Sequence, residues 1–344
     1  MKIEKGKKAI TNYGLEILRV ILCFWIVIVH CAIPKKGHEK YLRKGFHVPT
    51  FILMSFYFYY GTVSNRIINK IISRFQRLFI PYVLWPIIIF FLNNLLFKFF
   101  SVGIGVEKNK LYLKDIYIQL LIGARYHGIF WFQFNLIFLS LYFTIISFAF
   151  KGSMLKILQI SAAIAFYLNI SGYNFKFFSS FNWKFAINTG YIAELMPLAV
   201  FGIFFGSIKL IQKIKNCSCN FYLLMVFAIY ILFKYDLFIP LQGFKYPSTL
   251  LHIMASTTLF ITFASFPFEK IKNEKFKLII NIFTHFTGGI YYLHPRIKNI
   301  LQITPYFQKN KTYLDSCFIY IICYFICFIG NKIFINSKLK YLFL

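Results

Sequence analysis

An arginine and a histidine lie in the first long apolar segment of the chain, residues 17–33. In an α-helix, Arg19 and His30 would stand ~16 Å apart along the axis and within about 20° of the same face. An ionisable pair is costly in lipid, so this face is expected to meet a protein interior or a wet cavity. There the imidazole, which titrates near neutral pH, could act as a general base or as a nucleophile. The structural alternatives are an Arg19 that reaches the headgroups beside Glu16 and a His30 that is satisfied by neighbours in the bundle core.

A second cationic group precedes the third apolar segment. Arg66, Lys70, Arg74 and Arg77 are spaced by four, four and three residues, which predicts that all four share one face of a helix at the membrane surface. Two guanidiniums on one face, those of Arg74 and Arg77, could clamp a phosphate or a pyrophosphate through paired hydrogen bonds. Contact with lipid phosphates is the alternative interpretation.

Glu194 and His294 are ionisable groups of later apolar segments. Glu194 is predicted about one turn into its segment, shortly before Pro197, and a proline that frees backbone carbonyls is typical of a wet site. A carboxylate at a helix start, favoured by the helix dipole, is the alternative. His294 precedes Pro295, where we expect the segment to end and the imidazole to bond the last carbonyls of the helix.

Several chemistries are disfavoured because their motifs are absent. The sequence contains no H-E-x-x-H, no glycine-rich phosphate loop and no G-x-S-x-G, so nucleotide hydrolysis and serine-triad chemistry are not expected. Cys217 and Cys219 form a C-x-C without a second pair, and we predict no metal site. Cys31 is a conceivable thiol carrier beside His30, but adjacent residues of a helix point ~100° apart.

The elements that must position these residues are membrane helices. Of the 344 residues, 59% are hydrophobic and 22% are aromatic, a composition typical of a polytopic α-helical membrane protein. The net charge of +29 comes from cations scattered through short loops. That scatter favours anionic lipid headgroups as partners and argues against nucleic acid. We therefore predict an all-α integral membrane protein.

Ten apolar segments predict a bundle of about ten transmembrane helices that makes residues 1–344 a single domain. Residues 1–13 form a basic tail, expected in the cytosol, and an even number of spans places both termini on that side. Segment 111–122 is too short to span and is predicted to be interfacial. The third span is expected to carry Pro81 in its first turn. The predicted spans are about 17–33, 47–61, 79–100, 123–150, 155–172, 189–208, 221–240, 250–266, 278–295 and 314–335.

Three stretches of the chain resemble the membrane acyltransferase-3 family, whose members O-acylate bacterial surface polysaccharides. The stretches run from Leu18 to His30, from Arg74 to Tyr82 and from Gly289 to Pro295. Their order and spacing agree over almost the full length of the chain. The resemblance implies a ten-helix bundle of the bacterial cytoplasmic (inner) membrane with cytosolic termini. It also implies an acyl-CoA donor that binds from the cytosolic side, with acetyl-CoA as the expected donor. The implied acceptor is a saccharide or a lipid-linked glycan.

The resemblance implies roles for individual residues as well. His30 matches the essential first-span histidine of the family, and Arg19 matches its arginine. Arg74 and Arg77 match its R-x-x-R pair, which we expect to bind the acyl-CoA. With Glu194 from the residue-level argument, the expected catalytic group is His30, Arg19 and Glu194.

The second span departs from the family pattern. In many relatives it ends in Ser-Gly-Tyr or Ser-Gly-Phe, whereas here Ser55 is followed by Phe56 and Tyr57. This variant resembles a subgroup found beside adhesin-exopolysaccharide operons, whose members have been viewed as exporters or as O-succinyl or O-acetyl transferases. The alternative to an O-acyltransferase is therefore an exporter or flippase of a surface polysaccharide. A transporter would favour inverted repeats, and the sequence shows no convincing repeat.

Overall fold

A computed structural model describes residues 12–32, 46–100, 130–170, 183–210, 247–265, 273–302 and 312–344, with a few isolated positions between these ranges. All regular elements of these ranges are helical. The helices are α1 (Tyr13–Cys31), α2 (His47–Val63), α3 (Ile68–Phe100), α4 (Phe130–Ala149), α5 (Met154–Ile170), α6 (Trp183–Ser207), α7 (Pro247–Ser265), α8 (Glu274–His285), α9 (Thr287–Leu301) and α10 (Tyr313–Ile333), followed by the 3-10 helix Lys338–Leu342.

The helices have the length and composition of a membrane bundle. Within the described ranges, α1, α3, α4 and α10 are each long and apolar enough to cross a bilayer, while α5, α6 and α7 contain shorter apolar stretches. The prediction of an all-α integral membrane protein is confirmed. The predicted segments 111–122 and 221–240 lie almost wholly outside the described residues.

The basic link and the third predicted span form one continuous helix, α3. Pro81 and Pro86 lie inside it, so the prediction that Pro81 stands in a first turn is wrong. Arg66 precedes α3 with a φ of 50°, and its Nη2 donates to the carbonyl of Ser147 at 2.7 Å. That bond satisfies a carbonyl in the last turn of α4, where helical partners are missing. Arg66 therefore does not share a surface face with the arginines of α3, contrary to prediction.

The ninth predicted span, 278–295, is broken at Phe286 into α8 and α9. The start of α9 is tightly packed: a Cβ added at Gly289 would lie 2.6 Å from the carbonyl oxygen of Phe343. The helix then continues past Pro295 to Leu301. His294 is thus in the middle of α9 and not at the end of a span, so the helix-end interpretation of this histidine is wrong.

Helix α1 is the central element of the described bundle and packs against α2, α7, α8, α9 and α10. Its start is well defined, because the Asn12 side chain accepts from the Leu15 N–H at 3.1 Å and donates to the Ala264 carbonyl of α7 at 3.0 Å. An asparagine N-cap of this kind satisfies a backbone donor that the helix itself leaves unpaired. Leu15 and Val27 have no exposed surface. A helix buried along most of its length can hold its polar residues in fixed positions.

Helix α2 is held by a close approach to α6. A Cβ added at Gly202 would lie 2.9 Å from the Tyr57 nitrogen and 3.1 Å from the Phe56 Cβ. Small residues at four-residue spacing allow membrane helices to pack backbone against backbone, and Gly206, which faces Tyr60, continues the row. This contact fixes the rotation of α2 about its axis, and with it the direction in which Ser55 points.

Candidate functional site

A cavity of about 710 Å³ lies between α1, α2, α3, α4, α8 and α9. Arg19 of α1 and both Arg74 and Arg77 of α3 line it, together with one acidic residue, Glu16. The fold thus brings three of the predicted site residues to one cavity, from helices far apart in sequence. Among the described lining residues, arginines outnumber carboxylates, so the cavity favours an anion.

The cavity follows one face of α1. Glu16, Arg19, Cys23 and Ile26 line it at intervals of three, four and three residues. His30 is four residues beyond Ile26 and continues the same face. His30 is not a lining residue but lies one turn past the inner end of the row. The prediction that Arg19 and His30 share a face therefore agrees with the position of the cavity.

Arg19 and Glu16 form an ion pair of 3.1 Å, and the Arg19 side chain is 32% exposed. The pairing considered from the sequence is therefore present, and the pair faces the cavity. Ion pairs at a solvated surface contribute little stability. Their main effect here is to hold a guanidinium at the cavity wall with donors to spare.

Arg74 is held by hydroxyl groups of two neighbouring helices. Its Nη2 donates to the Ser55 Oγ at 2.9 Å, and its Nε donates to the Ser140 Oγ at 3.0 Å. The guanidinium also lies 4.3 Å from the Tyr59 ring centroid, a cation–π distance. Arg77, by contrast, is exposed, with its Nε 3.4 Å from the Ser73 carbonyl one turn back. The two arginines therefore differ: Arg74 is fixed between α2, α3 and α4, whereas Arg77 is exposed and bonds its own helix.

Ser140 and Tyr59 are partners of Arg74 that the sequence does not predict. A serine in an apolar helix usually bonds its own backbone, so the position of Ser140 in the sequence does not predict an arginine partner on another helix. Ser55 was noticed only as part of a departure from a family pattern. Phe56, which stands where that pattern has glycine, is fully buried and packs edge-on against Phe143 at 4.8 Å.

His30 is paired with a second histidine. The ring centroids of His30 and His294 are 5.2 Å apart, with an angle of 46° between the planes. His294 is completely buried, and its Nδ1 is 3.1 Å from the carbonyl oxygen of Ile290. One turn further along α9, Lys298 Nζ donates to the backbone carbonyl of His30. Helix α9 therefore holds both the ring and the backbone of His30 in place.

Helices α1 and α9 run in the same direction at this contact. Near the start of α9, the Cys23 Sγ is 3.5 Å from the Thr287 carbonyl. His30 meets His294 the same number of positions further along both helices. The arginine end and the histidine end of the site are thus set by one pair of parallel helices.

One aromatic side chain, that of Tyr291, contacts both the cavity and the ring of His294. Tyr291 lines the cavity, and its ring centroid is 6.2 Å from that of His294. On its other side, the Tyr291 ring is 5.6 Å from Phe132 of α4, another lining residue. The inner end of the cavity is therefore apolar and aromatic, while the arginines and Glu16 give it a charged region.

Glu194 stands apart from this assembly. Helix α6 begins at Trp183, so Glu194 lies about three turns inside it. The helix-start interpretation of this carboxylate therefore does not apply. Of the expected catalytic group, Arg19 lines the cavity and Glu194 does not.

Neither cysteine chemistry nor a metal centre emerges from the described ranges. Cys31 is 5% exposed and packs in an apolar cluster with Trp85 and Cys323. Within the part of the chain that the structure covers, no group of three or more His, Cys, Asp or Glu residues is placed to hold a metal ion.

The fold and the site define a multi-pass α-helical membrane protein with a cationic internal cavity. The family model described as an acyltransferase domain, the acyltransferase-3 model, matches residues 12–336. The chain belongs to this family and is a membrane acyltransferase. Searches of curated proteins and of solved structures found no significant match.

Proposed function

We propose that this protein transfers an acyl group from acyl-CoA to a hydroxyl of a cell-surface or lipid-linked saccharide. The expected acyl group is acetyl. The observation that carries the proposal is the cavity that joins Arg19, Arg74 and Arg77 and points along α1 toward His30. A thioester donor with a phosphorylated end needs a cationic region, an apolar channel and a base at the far end. The cavity would supply the cationic region and the apolar channel, and His30, on the helix face beyond the cavity, would supply the base.

The arginines suit the phosphates of CoA. A guanidinium binds phosphate oxygens through paired hydrogen bonds, and a desolvated, fixed guanidinium loses little entropy on binding. Arg74 is fixed by Ser55 and Ser140, and Arg77 is exposed beside it. The cavity of about 710 Å³ is within the usual size of ligand sites, roughly 300–1,000 Å³.

The apolar end of the cavity suits the pantetheine arm and the acyl group. Ile26, Phe132 and Tyr291 line that end, next to the rings of His294 and His30. A thioester carbonyl that reaches past Tyr291 would arrive at the imidazoles with water largely excluded. Exclusion of water favours transfer to a sugar hydroxyl over hydrolysis.

His30 is the residue proposed to perform the chemistry. As a general base, it takes the proton of the acceptor hydroxyl while the oxygen attacks the thioester carbonyl. The carbon–sulfur bond then breaks, and the CoA thiolate leaves with the proton from the imidazolium. As a nucleophile, it would first carry the acyl group itself and then pass it to the hydroxyl. Both routes give the same products and need the same position of His30.

The donor is proposed to enter from the cytosol at the inner membrane. Glu16 and Leu344 line the same cavity, so the first and last described segments meet on one side of the bundle. Acyl-CoA is a cytosolic metabolite, which assigns that side to the cytosol. The saccharide would then approach the histidine end, ~16 Å further along α1.

Labelled acetyl-CoA tests the donor assignment directly. The purified protein in lipid nanodiscs is incubated with radiolabelled acetyl-CoA and saccharides, as wild type and as the double variant Arg74→Ala/Arg77→Ala. Lys70→Ala is the matched control, because Lys70 is an exposed cation one turn before Arg74 that does not line the cavity. We expect label on the saccharide or the protein, lost in the double variant and kept in the control.

A contrary result is equally clear. An absence of CoA binding and of label in the wild type, with acetyl-CoA and then with succinyl-CoA, would contradict the proposal and favour export of a surface polysaccharide.

A further inference from the structure

The imidazole of His294 has one nitrogen engaged and one free. Its Nδ1 is 3.1 Å from the Ile290 carbonyl oxygen, and a carbonyl only accepts, so Nδ1 carries the hydrogen in this arrangement. Nε2 then carries a lone pair. That atom is buried and has no hydrogen-bond partner among the described residues. A buried acceptor without a partner lowers stability, which points to a partner acquired during function.

The ring of His294 packs against the ring of His30. The two ring centroids are 5.2 Å apart, a separation from which a small rotation of either ring brings two nitrogens into hydrogen-bond range. The separation is set by helix packing, because Lys298 of α9 bonds the backbone of His30. His294 has no exposed surface, whereas His30 is half-buried. His30 is therefore the imidazole that a substrate reaches, and His294 lies behind it.

We propose that His294 is the proton partner of His30, a positioning residue that accepts the second N–H of the His30 ring through Nε2. This inference rests on the proposed acyl-transfer function. Donation of one His30 N–H to His294 fixes the tautomer, so that the other His30 nitrogen has its lone pair directed at the acceptor hydroxyl. The arrangement follows the logic of catalytic triads, in which a third group orients the base.

The proton balance is simple. The acceptor hydroxyl gives its proton to His30, and its oxygen forms a bond to the thioester carbonyl carbon as the carbon–sulfur bond breaks. While His30 is protonated, its other N–H remains bonded to His294, which spreads the positive charge over two rings. The thiolate then takes the proton from His30 and leaves as CoA thiol. Both imidazoles return to their starting states.

Two amide substitutions separate this role from a structural one. In His294→Asn, the amide nitrogen can keep the bond to the Ile290 carbonyl, but nothing replaces Nε2. In His294→Gln, the amide oxygen reaches the Nε2 position and can accept from His30, but it is not basic. The assay is release of CoA thiol from acetyl-CoA with a saccharide mixture, on the full chain in nanodiscs.

We expect His294→Asn to lower kcat by on the order of 100-fold, since a positioned base contributes about 10²–10⁴-fold. The KM for acetyl-CoA should stay unchanged, because His294 does not line the donor cavity. His294→Gln should retain about tenfold more activity than His294→Asn, as expected of a surviving acceptor. In a His30→Ala background, His294→Asn should have no further effect.

The proposal is overturned if His294→Asn is as active as His294→Gln or the wild type, or if both variants lose acetyl-CoA binding, which would mark a purely structural histidine. A wild type that transfers no acyl group from any acyl-CoA would instead overturn the proposed function.

Discussion

Ser55 binds the guanidinium of Arg74 twice, with its hydroxyl 2.9 Å from Nη2 and its carbonyl 3.5 Å from Nη1. The two residues lie on neighbouring helices, α2 and α3, and both line the cavity. The arginine is thus directed before any ligand arrives. This relationship makes α2 part of the proposed donor site, although the described part of α2 contributes no charged residue to the cavity.

Ser55→Ala should weaken acyl-CoA binding without removing a charge. Loss of a hydrogen bond to an ionised group costs about 1.5–3 kcal/mol, so we expect the Kd for CoA to rise roughly tenfold. Isothermal titration of the protein in nanodiscs measures this. Ser153→Ala, at an exposed position between α4 and α5, is the control and should leave the Kd unchanged. An unaltered Kd in Ser55→Ala would show that Arg74 does not bind the donor in its present position.

Replacement by lysine should affect CoA binding more at Arg74 than at Arg77. Arg74 bonds Ser55 and Ser140 through different nitrogens, a geometry that a single ammonium cannot reproduce. We expect Arg74→Lys to raise the Kd for CoA about tenfold or more. Arg77 is exposed, so Arg77→Lys keeps its point charge and should change the Kd by less than about threefold. Equal effects of the two substitutions would contradict the difference between a fixed Arg74 and an exposed Arg77.

Phe132 is predicted to limit the size of the acyl group. Its ring packs against Tyr291 at 5.6 Å and against Phe51 at 6.5 Å, at the apolar end of the cavity. Phe132→Ala should raise the ratio of kcat/KM for butyryl-CoA to that for acetyl-CoA by about tenfold, since a methylene in an apolar pocket is worth about 10–200-fold. Phe138→Ala, on the same helix and 42% exposed, is the control. An unchanged ratio of the two kcat/KM values would show that the acyl group does not bind beside Phe132.

Gly202→Ala should destabilise the bundle at the contact of α2 and α6. The new methyl group would lie 2.9 Å from the Tyr57 nitrogen, and overpacking typically costs about 1–3 kcal/mol. Gly61→Ala is the matched control, because a Cβ there meets nothing within 4 Å and alanine favours a helix by about 0.5–1 kcal/mol over glycine. Thermal unfolding followed by intrinsic fluorescence should show a lower Tm for the first and an equal or higher Tm for the second. The reverse order would contradict the close packing of these helices.

The helix face of Arg19 and His30 could be predicted from the sequence because it depends only on spacing within one helix. The apolar run and the 3.6-residue period suffice to place both residues on one side of α1. Arg74 could be recognised as a cation near a span, but its partners could not, since Ser140 reaches it only through the packing of α4 against α3. Spacing along the chain predicts Arg66 on the same face. In the structure, Arg66 itself has a left-handed backbone conformation before the helix, and its side chain reaches α4.

The partnership of His30 and His294 was beyond prediction for a similar reason. The two residues are 264 positions apart, and their meeting depends on the parallel packing of α1 and α9. The segment 278–295 is predicted as one helix because apolar residues resume at Ile290, after the Thr-Gly-Gly stretch that follows the break at Phe286. Glu194 was placed near a helix start because the residues before it are only weakly apolar, yet α6 begins earlier, at Trp183.

We propose that His30 performs acyl transfer at the end of a donor cavity that it does not itself line. His30→Ala in nanodiscs tests it most directly, with acetyl-CoA binding and label transfer to saccharide measured on the same sample. We expect binding to be retained, because the cavity residues are unchanged, and transfer to fall by at least about 100-fold. Transfer at the wild-type rate in a variant that binds acetyl-CoA normally would contradict it.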